Sequence, residues 1–217
     1  MARSACPKLR MQSRRDGVNA VSIADALLQP GWWVGHHQLT PGLLAALAVE
    51  AQALHHDGEM HQAGVGRGVH HHRDSLTRSD SIVWFDGVSA AQQQYLAVME
   101  ALRLSLNSQL FLGLFEYEAH FAFYAPGAFY HEHLDSFAGV GGRIVSVVTY
   151  LNADWPSNGG GELLIHAQTH KDVAATIVLP EAGTVVIFLS EQVLHEVLPA
   201  MVGRYSIAGW FRLNAPD

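Results

Sequence analysis

The segment His133-Leu134-Asp135 sets an imidazole and a carboxylate two residues apart. In an extended strand such residues project to the same side, so both can reach one metal ion while Leu134 packs away from it. A third ligand must come from elsewhere, and the candidate is His195, which opens His195-Glu196-Val197-Leu198-Pro199 just after an apolar run. Two imidazoles and one carboxylate form a facial triad that suits non-haem Fe(II) and leaves positions open for other ligands.

The chain holds 14 histidines, and the His-x-Asp pattern recurs at His72-Arg73-Asp74 and His170-Lys171-Asp172. The first copy follows His70 and His71 in a polar stretch without strand periodicity. It echoes a kinase catalytic loop but lacks the metal-binding Asn and the glycine-rich loop that should accompany one. The second stands too close to His195 to leave room for the sheet that a distant third ligand implies. Only the 133/135 copy has strand-like runs behind it. Taken singly, His133 also fits a hydrogen-bonded core histidine, His195 a strand start with its ring exposed, and Tyr124, Tyr130 and Tyr150 ordinary strand aromatics.

Arg204 lies nine residues after His195 in the apolar run Gly203-Arg-Tyr-Ser-Ile-Ala-Gly-Trp-Phe-Arg212. From residue 104 onward the only cations are Arg143, Lys171, Arg204 and Arg212. A guanidinium in an apolar strand needs a partner, most naturally a carboxylate held in bidentate fashion. Glu162 and Glu196 are candidates within the chain, and a substrate carboxylate is the other. If two open metal positions chelate the keto-acid end of 2-oxoglutarate, its far carboxylate lies about one molecule's length away, where Arg204 and the Tyr150 hydroxyl can hold it.

The elements that must position these groups follow from periodicity. A short helix is expected over 18–28, from Val21, Ala24, Leu27 and Leu28, stopped by Pro30-Gly31. Trp32-Trp33-Val34 reads as a strand. A second helix begins at Thr40-Pro41, the hydroxyl capping and the proline in the first turn, and runs to Gly58. A third starts at Ser89 with the apolar face Tyr95, Val98, Met99, Leu102 and Leu106. From Phe111 the period shifts, and strand-like runs follow at 111–124, 143–152, 161–166, 174–180, 184–190 and 204–213. Many short strands imply a sandwich or barrel, and with the helices grouped before them they predict an α+β, mainly β fold. The expected form is a double-stranded β-helix (jelly roll) whose N-terminal helices buttress one sheet and whose mouth holds the metal.

A chain of 217 residues, 49% apolar, is sized for one substantial core. One domain over 18–217 is expected, with the jelly-roll core at about 108–215. No run approaches the length of a membrane span, and the single cysteine, Cys6, fits a reducing cytoplasm. Residues 1–17 carry Arg3, Lys8, Arg10, Arg14 and Arg15 against Asp16; that net of +4 leaves −11 for the remainder of a chain totalling −7. The segment reads as a disordered basic tail. The acidic body has no basic groove, which argues against nucleic acid as a partner.

Beyond these separate signals, the C-terminal two-thirds resembles the 2-oxoglutarate- and Fe(II)-dependent dioxygenases of the prolyl 4-hydroxylase superfamily, and within it the prolyl-hydroxylase-domain (EGL-nine type) branch and its bacterial relatives. The residues that carry the likeness are Tyr124, Gly127, Tyr130, His133 and Asp135, then Arg143, Ser146 and Tyr150-Leu-Asn152-Ala-Asp-Trp155, then Gly160-Gly-Glu-Leu163, and His195-Glu-Val-x-Pro199 with Arg204 and Trp210. Upstream, Ala53-Leu54 with Gly58 and Arg78-Ser-Asp80-Ser-Ile-Val-Trp84 join them.

The resemblance implies that His133, Asp135 and His195 hold Fe(II), and that Tyr124, Tyr150, Val197, Arg204 and Trp210 line the 2-oxoglutarate site. Arg78, Asp80 and Arg143 would face the substrate, with Asp80 paired to Arg143, on or beside a 59–80 loop that covers the mouth. Ser79 stands where relatives commonly have glycine, and Ala208 where they often place a hydroxyl near the keto acid. The reaction implied uses O2, with ascorbate as reductant, and yields succinate and CO2. Because related halogenases lack the carboxylate that Asp135 keeps, hydroxylation is expected. The implied substrate is a prolyl residue of a protein, hydroxylated at C4, such as one in a translation elongation factor. A free amino acid or small metabolite is the enzymatic alternative. A non-catalytic jelly-roll sensor module that uses the metal structurally is the other.

Overall fold

A computed structural model describes residues 20–64, 76–136, 142–166 and 175–214. The basic tail, the His70–His72 cluster and the His170/Asp172 pair lie outside the described residues. Three helices, α1 (Ala20–Leu28), α2 (Pro41–His56) and α3 (Ala90–Leu110), precede most of the strands. Thr40 caps α2 by accepting from the Leu43 N–H, with Pro41 in the first turn, and Ser89 caps α3 by accepting from the Gln92 N–H. α3 outlasts its expected face, ending where Phe111 turns left-handed (φ 54°). The run from 111 therefore becomes strand only at Glu116. The Asn107 amide bonds both the N–H and the carbonyl of Leu114 at 2.8 Å, satisfying that backbone in place of a neighbouring strand.

The strands are β1 (Trp32–His36), β2 (His61–Gln62), β3 (Ser81–Trp84), β4 (Glu116–Tyr124), β5 (Tyr130–His133), β6 (Arg143–Tyr150), β7 (Leu163–Ile165), β8 (Thr176–Val178), β9 (Thr184–Leu189), β10 (His195–Val197) and β11 (Arg204–Arg212). They form a seven-stranded sheet, β1-β9-β6-β11-β4-β3-β2, and a four-stranded sheet, β5-β10-β7-β8, with every ladder antiparallel. This is the jelly roll expected from the sequence. Two short strands escaped it: β2, inside the Gly- and His-rich segment from Glu59, and β3, which follows that segment directly. Both join the edge of the large sheet beyond β4.

Period-two alternation divides the large sheet between two cores. Ala119, Phe121, Val145, Val147, Ile187, Ile207 and Phe211 point to the helices and pack with Leu47, Tyr95, Met99 and Leu106. Ala122, Tyr124, Tyr150, Val186 and Phe188 point inward, toward Leu163, Ile165, Val178 and Val197 of the small sheet. On β11 the inward set is Arg204, Ser206, Ala208 and Trp210, so the chemistry expected of this strand shares one face. Among the described residues, no helix is long and apolar enough to cross a membrane.

Two register shifts break the alternation where the site needs it broken. Phe211 opposes Val145, but Arg212 opposes Arg143, leaving Ile144 as an extra residue. Ile144 packs with the helix-side core, and Arg143 is re-aimed to the inner face. On β5, His133 opposes His195 while Tyr130 opposes Val197, so two residues of β5 face one of β10. Tyr130 and His133, three apart, thereby come to the same side.

The helix-side core carries the stability of the scaffold. Phe121 is fully buried at the centre of β4, and Phe121→Ala is expected to cost about 3–5 kcal/mol, read as a lower midpoint in urea unfolding with an unchanged slope.

Candidate metal centre and its mouth

His133 and His195 sit across from each other on adjacent strands. Asp135 lies past the end of β5, in a bend, so curvature of the chain rather than strand alternation brings it to the histidines. His133 Nε2 is 3.6 Å and His195 Nε2 3.8 Å from Asp135 Oδ1, and the three ligand atoms lie within 4.8 Å of one another. Each imidazole donates its Nδ1–H to a carbonyl two residues back, His131 at 2.7 Å and Val193 at 2.9 Å. Those bonds fix the tautomer and turn both Nε2 lone pairs to a common point. Two neutral nitrogens and one carboxylate, with no fourth protein ligand in this group, fit Fe(II) with open positions.

The carboxylate is held in turn. Ser146 Oγ donates to Asp135 Oδ2 at 2.6 Å and lies 2.8 Å from Ser190 Oγ, a residue that sequence reasoning missed because only pairing of β6 with the end of β9 brings it near. Burial alone would raise the Asp135 pKa. His195, the bonds from His133 and Ser146, and the His133 charge outweigh it and hold the carboxyl well below its usual range. Burial, with His133 beside it, pushes His195 down to about 4, so it is a neutral ligand near pH 7. The Tyr130 ring stacks on His133 at 3.5 Å and 12°.

Deeper in the barrel, Arg204 is 2% exposed. Its Nε donates to the Gly161 carbonyl at 2.9 Å and its Nη1 to Ser206 Oγ at 3.3 Å. Its Cζ lies 4.6 Å from the Tyr124 ring and 4.9 Å from the Tyr150 ring. Among the described residues no carboxylate pairs with it; Glu196, one of the two candidates within the chain, instead meets His166 at 3.1 Å. Gly161 is required here, with φ at 64° and a Cβ that would fall 2.9 Å from Arg204 Cδ. The buried Tyr150 hydroxyl has no hydrogen-bond partner. Burial raises its pKa, and the Arg204 charge opposes that. A buried cation beside an orphaned phenol fits a ligand carboxylate. Val197 and Tyr124 pack in the same inner core, while the neighbouring Trp210, inward on β11, has its buried indole N–H unpartnered.

At the rim the expected pairing of Asp80 with Arg143 is not found. Asp80, fully buried, takes a two-pronged bond from Arg78, Nε to Oδ1 at 2.7 Å and Nη2 to Oδ2 at 2.6 Å. Arg143 instead bonds Glu118 at 2.7 Å, because the Ile144 bulge swings it over Trp210 and toward β4. Between these pairs sits His120, inward on β4, 3% exposed and edge-on to Trp84 at 5.0 Å. Burial and then the Arg78 charge push it down to about 4. Neither Glu118 nor His120 had a sequence signal, since each looks like an ordinary strand residue until the register is known.

Two expectations follow. Ser146→Ala removes the bond that orients Asp135 and is expected to weaken Fe(II) affinity about 10- to 100-fold, measured by metal titration. In metal-free protein, His120 and His195 protonate near pH 6.5 when unfolded but only near 4 when folded. Between those values the unfolded state binds more protons, so the stability present above pH 6.5 falls as pH is lowered toward 4, by on the order of 3 kcal/mol per histidine. His120→Gln should roughly halve that slope in chemical denaturation at stepped pH.

The family model for the 2OG-Fe(II) oxygenase superfamily matches residues 119–212. Among solved structures, a Pseudomonas putida prolyl-4-hydroxylase is 42% identical with a TM-score of 0.81, covering 90% of this chain and 100% of that one. A prolyl hydroxylase from Trichoplax adhaerens, in complex with a hypoxia inducible factor oxygen degradation domain peptide fragment, shares the fold at 23% identity and a TM-score of 0.79, covering 89% of this chain and 88% of that one. The viral collagen prolyl hydroxylase of Paramecium Bursaria Chlorella virus-1, in its 2OG complex, does so at 19% identity and 0.55, covering 85% and 97%. Identity at that level to the Pseudomonas enzyme over both chains, joined to the triad, makes this chain a member of the prolyl 4-hydroxylase family of 2-oxoglutarate-dependent dioxygenases, working with Fe(II), 2-oxoglutarate and O2.

Proposed function

We propose that the enzyme hydroxylates C4 of a prolyl residue in a protein, with a translation elongation factor as the target, in the cytoplasm and with ascorbate as reductant. The observation that carries this reading is the 42% identity to a bacterial prolyl-4-hydroxylase along 90% of the chain. A peptide bound to the Trichoplax enzyme of the same fold supports a protein substrate. Cys6 as the only cysteine supports the compartment. The reaction balances as prolyl residue, 2-oxoglutarate and O2 giving hydroxyprolyl residue, succinate and CO2, one oxygen atom entering each of the first two products.

In this reading His133, Asp135 and His195 hold the iron, which supplies oxygen activation when bound. Arg204 and the Tyr150 hydroxyl hold the distal carboxylate of 2-oxoglutarate. Tyr124, Val197 and Trp210 wall the pocket and keep water from it. Ser146 and Ser190 orient Asp135. Arg78, Asp80 and Arg143 form the side of the mouth that the peptide meets, with Trp84 half-exposed beside them.

Succinate release from 2-oxoglutarate, Fe(II), ascorbate and O2 tests the reading, with and without a proline-containing peptide of the elongation factor. Expected are stimulation by the peptide, a mass gain of one oxygen atom on its proline, and loss of both in His133→Ala. Slow turnover that the peptide leaves unchanged would discard this substrate and turn attention to small metabolites. No turnover from iron-loaded wild type would leave a metal-binding module.

A further inference from the structure

The rim residue Glu118 is absorbed by none of the roles above, yet it is tied at both ends. One carboxylate oxygen, Oε1, takes Arg143 Nε and Nη2, each at 2.7 Å. The other, Oε2, takes Arg212 Nη1 at 3.2 Å, and the same Arg212 nitrogen reaches Glu116 at 3.0 Å. Glu118 is therefore an acceptor held from the far side by Arg212 as it holds Arg143. Held this way, Arg143 lies over the Trp210 indole, its Cζ 3.5 Å from the ring centre, well inside cation–π range.

The position is built rather than incidental. Period-two alternation along β6 would send Arg143 to the helix side with Val145 and Val147. The bulge at Ile144 spends an extra residue to bring it inward. Trp210 is the β11 partner of Ser146, the residue that bonds Asp135. The guanidinium thus stands next to the support of a metal ligand. Two of its five donors go to Glu118, and among the described residues no other acceptor takes the remainder, which a bound chain's carbonyls could use. The neighbouring pair at the rim differs. Arg78 and Asp80 satisfy each other with both prongs, and Asp80 is fully buried.

We propose that Glu118 is a positioning residue for substrate: by clamping the Arg143 guanidinium on Trp210 it fixes the cationic side of the mouth, and so sets the KM for the peptide rather than kcat. The effect on KM rests on the prolyl-peptide reading above; the clamp itself does not.

The test has two arms on the full chain. In the Zn(II)-loaded protein the Arg143 Nε–H resonance, assigned by its loss in Arg143→Gln, is expected to be ring-current shifted and slow to exchange. Glu118→Gln should return it to the exchange-broadened state of a free arginine; an unchanged resonance would overturn the proposal. In the Fe(II) enzyme Glu118→Gln is expected to raise peptide KM about tenfold with kcat within about twofold, and to add nothing in an Arg143→Gln background. A kcat loss at unchanged KM, or a full Glu118→Gln effect without Arg143, would overturn it. If wild type is not stimulated by peptide, the substrate reading has failed by itself, and the resonance still decides whether Glu118 holds Arg143.

Discussion

A guanidinium buried with only neutral partners governs this molecule. Arg204 gives hydrogen bonds to the Gly161 carbonyl and the Ser206 hydroxyl and lies between two tyrosine rings, with no carboxylate against it among the described residues. Taking an ion out of water costs several kcal/mol, and neutral acceptors return only part of that. The proposed function accounts for that deficit: the missing charge would arrive with the cofactor. On the proposed reading the distal carboxylate of 2-oxoglutarate would complete the pair, with the unpartnered Tyr150 hydroxyl as a further donor. Room for the guanidinium depends on the glycine at 161, whose Cβ would crowd Arg204 Cδ.

The jelly roll meets these demands by spending its irregularities near the metal. Ladder register alone supplies Arg204, Ser206 and Trp210 on one face and Tyr124 and Tyr150 beside them. What alternation cannot supply comes from bulges and chain ends. The β5 bulge stacks Tyr130 on His133, the bend after β5 delivers Asp135, and the β6 bulge swings Arg143 to the rim. The helices contribute no ligand; their part is to close the far face of the large sheet so that its inner face can hold polar groups.

The triad, the buried arginine and the sheet-rich architecture were legible in the sequence because each leaves a local trace: a ligand spacing, a cation in an apolar run, a change of period. The mechanism of approach was less so. Asp135 was expected to reach the metal by strand alternation and does so from a bend. The pairing of Asp80 with Arg143 failed because it depends on a bulge at Ile144, which is indistinguishable in sequence from any other strand isoleucine. Glu118, His120 and Ser190 were invisible for a related reason: their meaning lies in which residues stand opposite them, and register is a property of the sheet. Phe111 misled because an apolar run after a helix reads as strand, whereas here the Asn107 amide satisfies the Leu114 backbone in a loop.

The central claim is that Arg204 waits for a ligand carboxylate. Calorimetric titration of the Mn(II)-loaded enzyme with 2-oxoglutarate and with 2-oxobutyrate, which lacks the distal carboxylate, tests it in wild type and Arg204→Met. The expected result is that the substitution weakens 2-oxoglutarate by more than about 100-fold and leaves the already weak binding of 2-oxobutyrate nearly unchanged. Equal binding of 2-oxoglutarate to both proteins would show that the buried guanidinium has another purpose, and would contradict the assignment of this pocket.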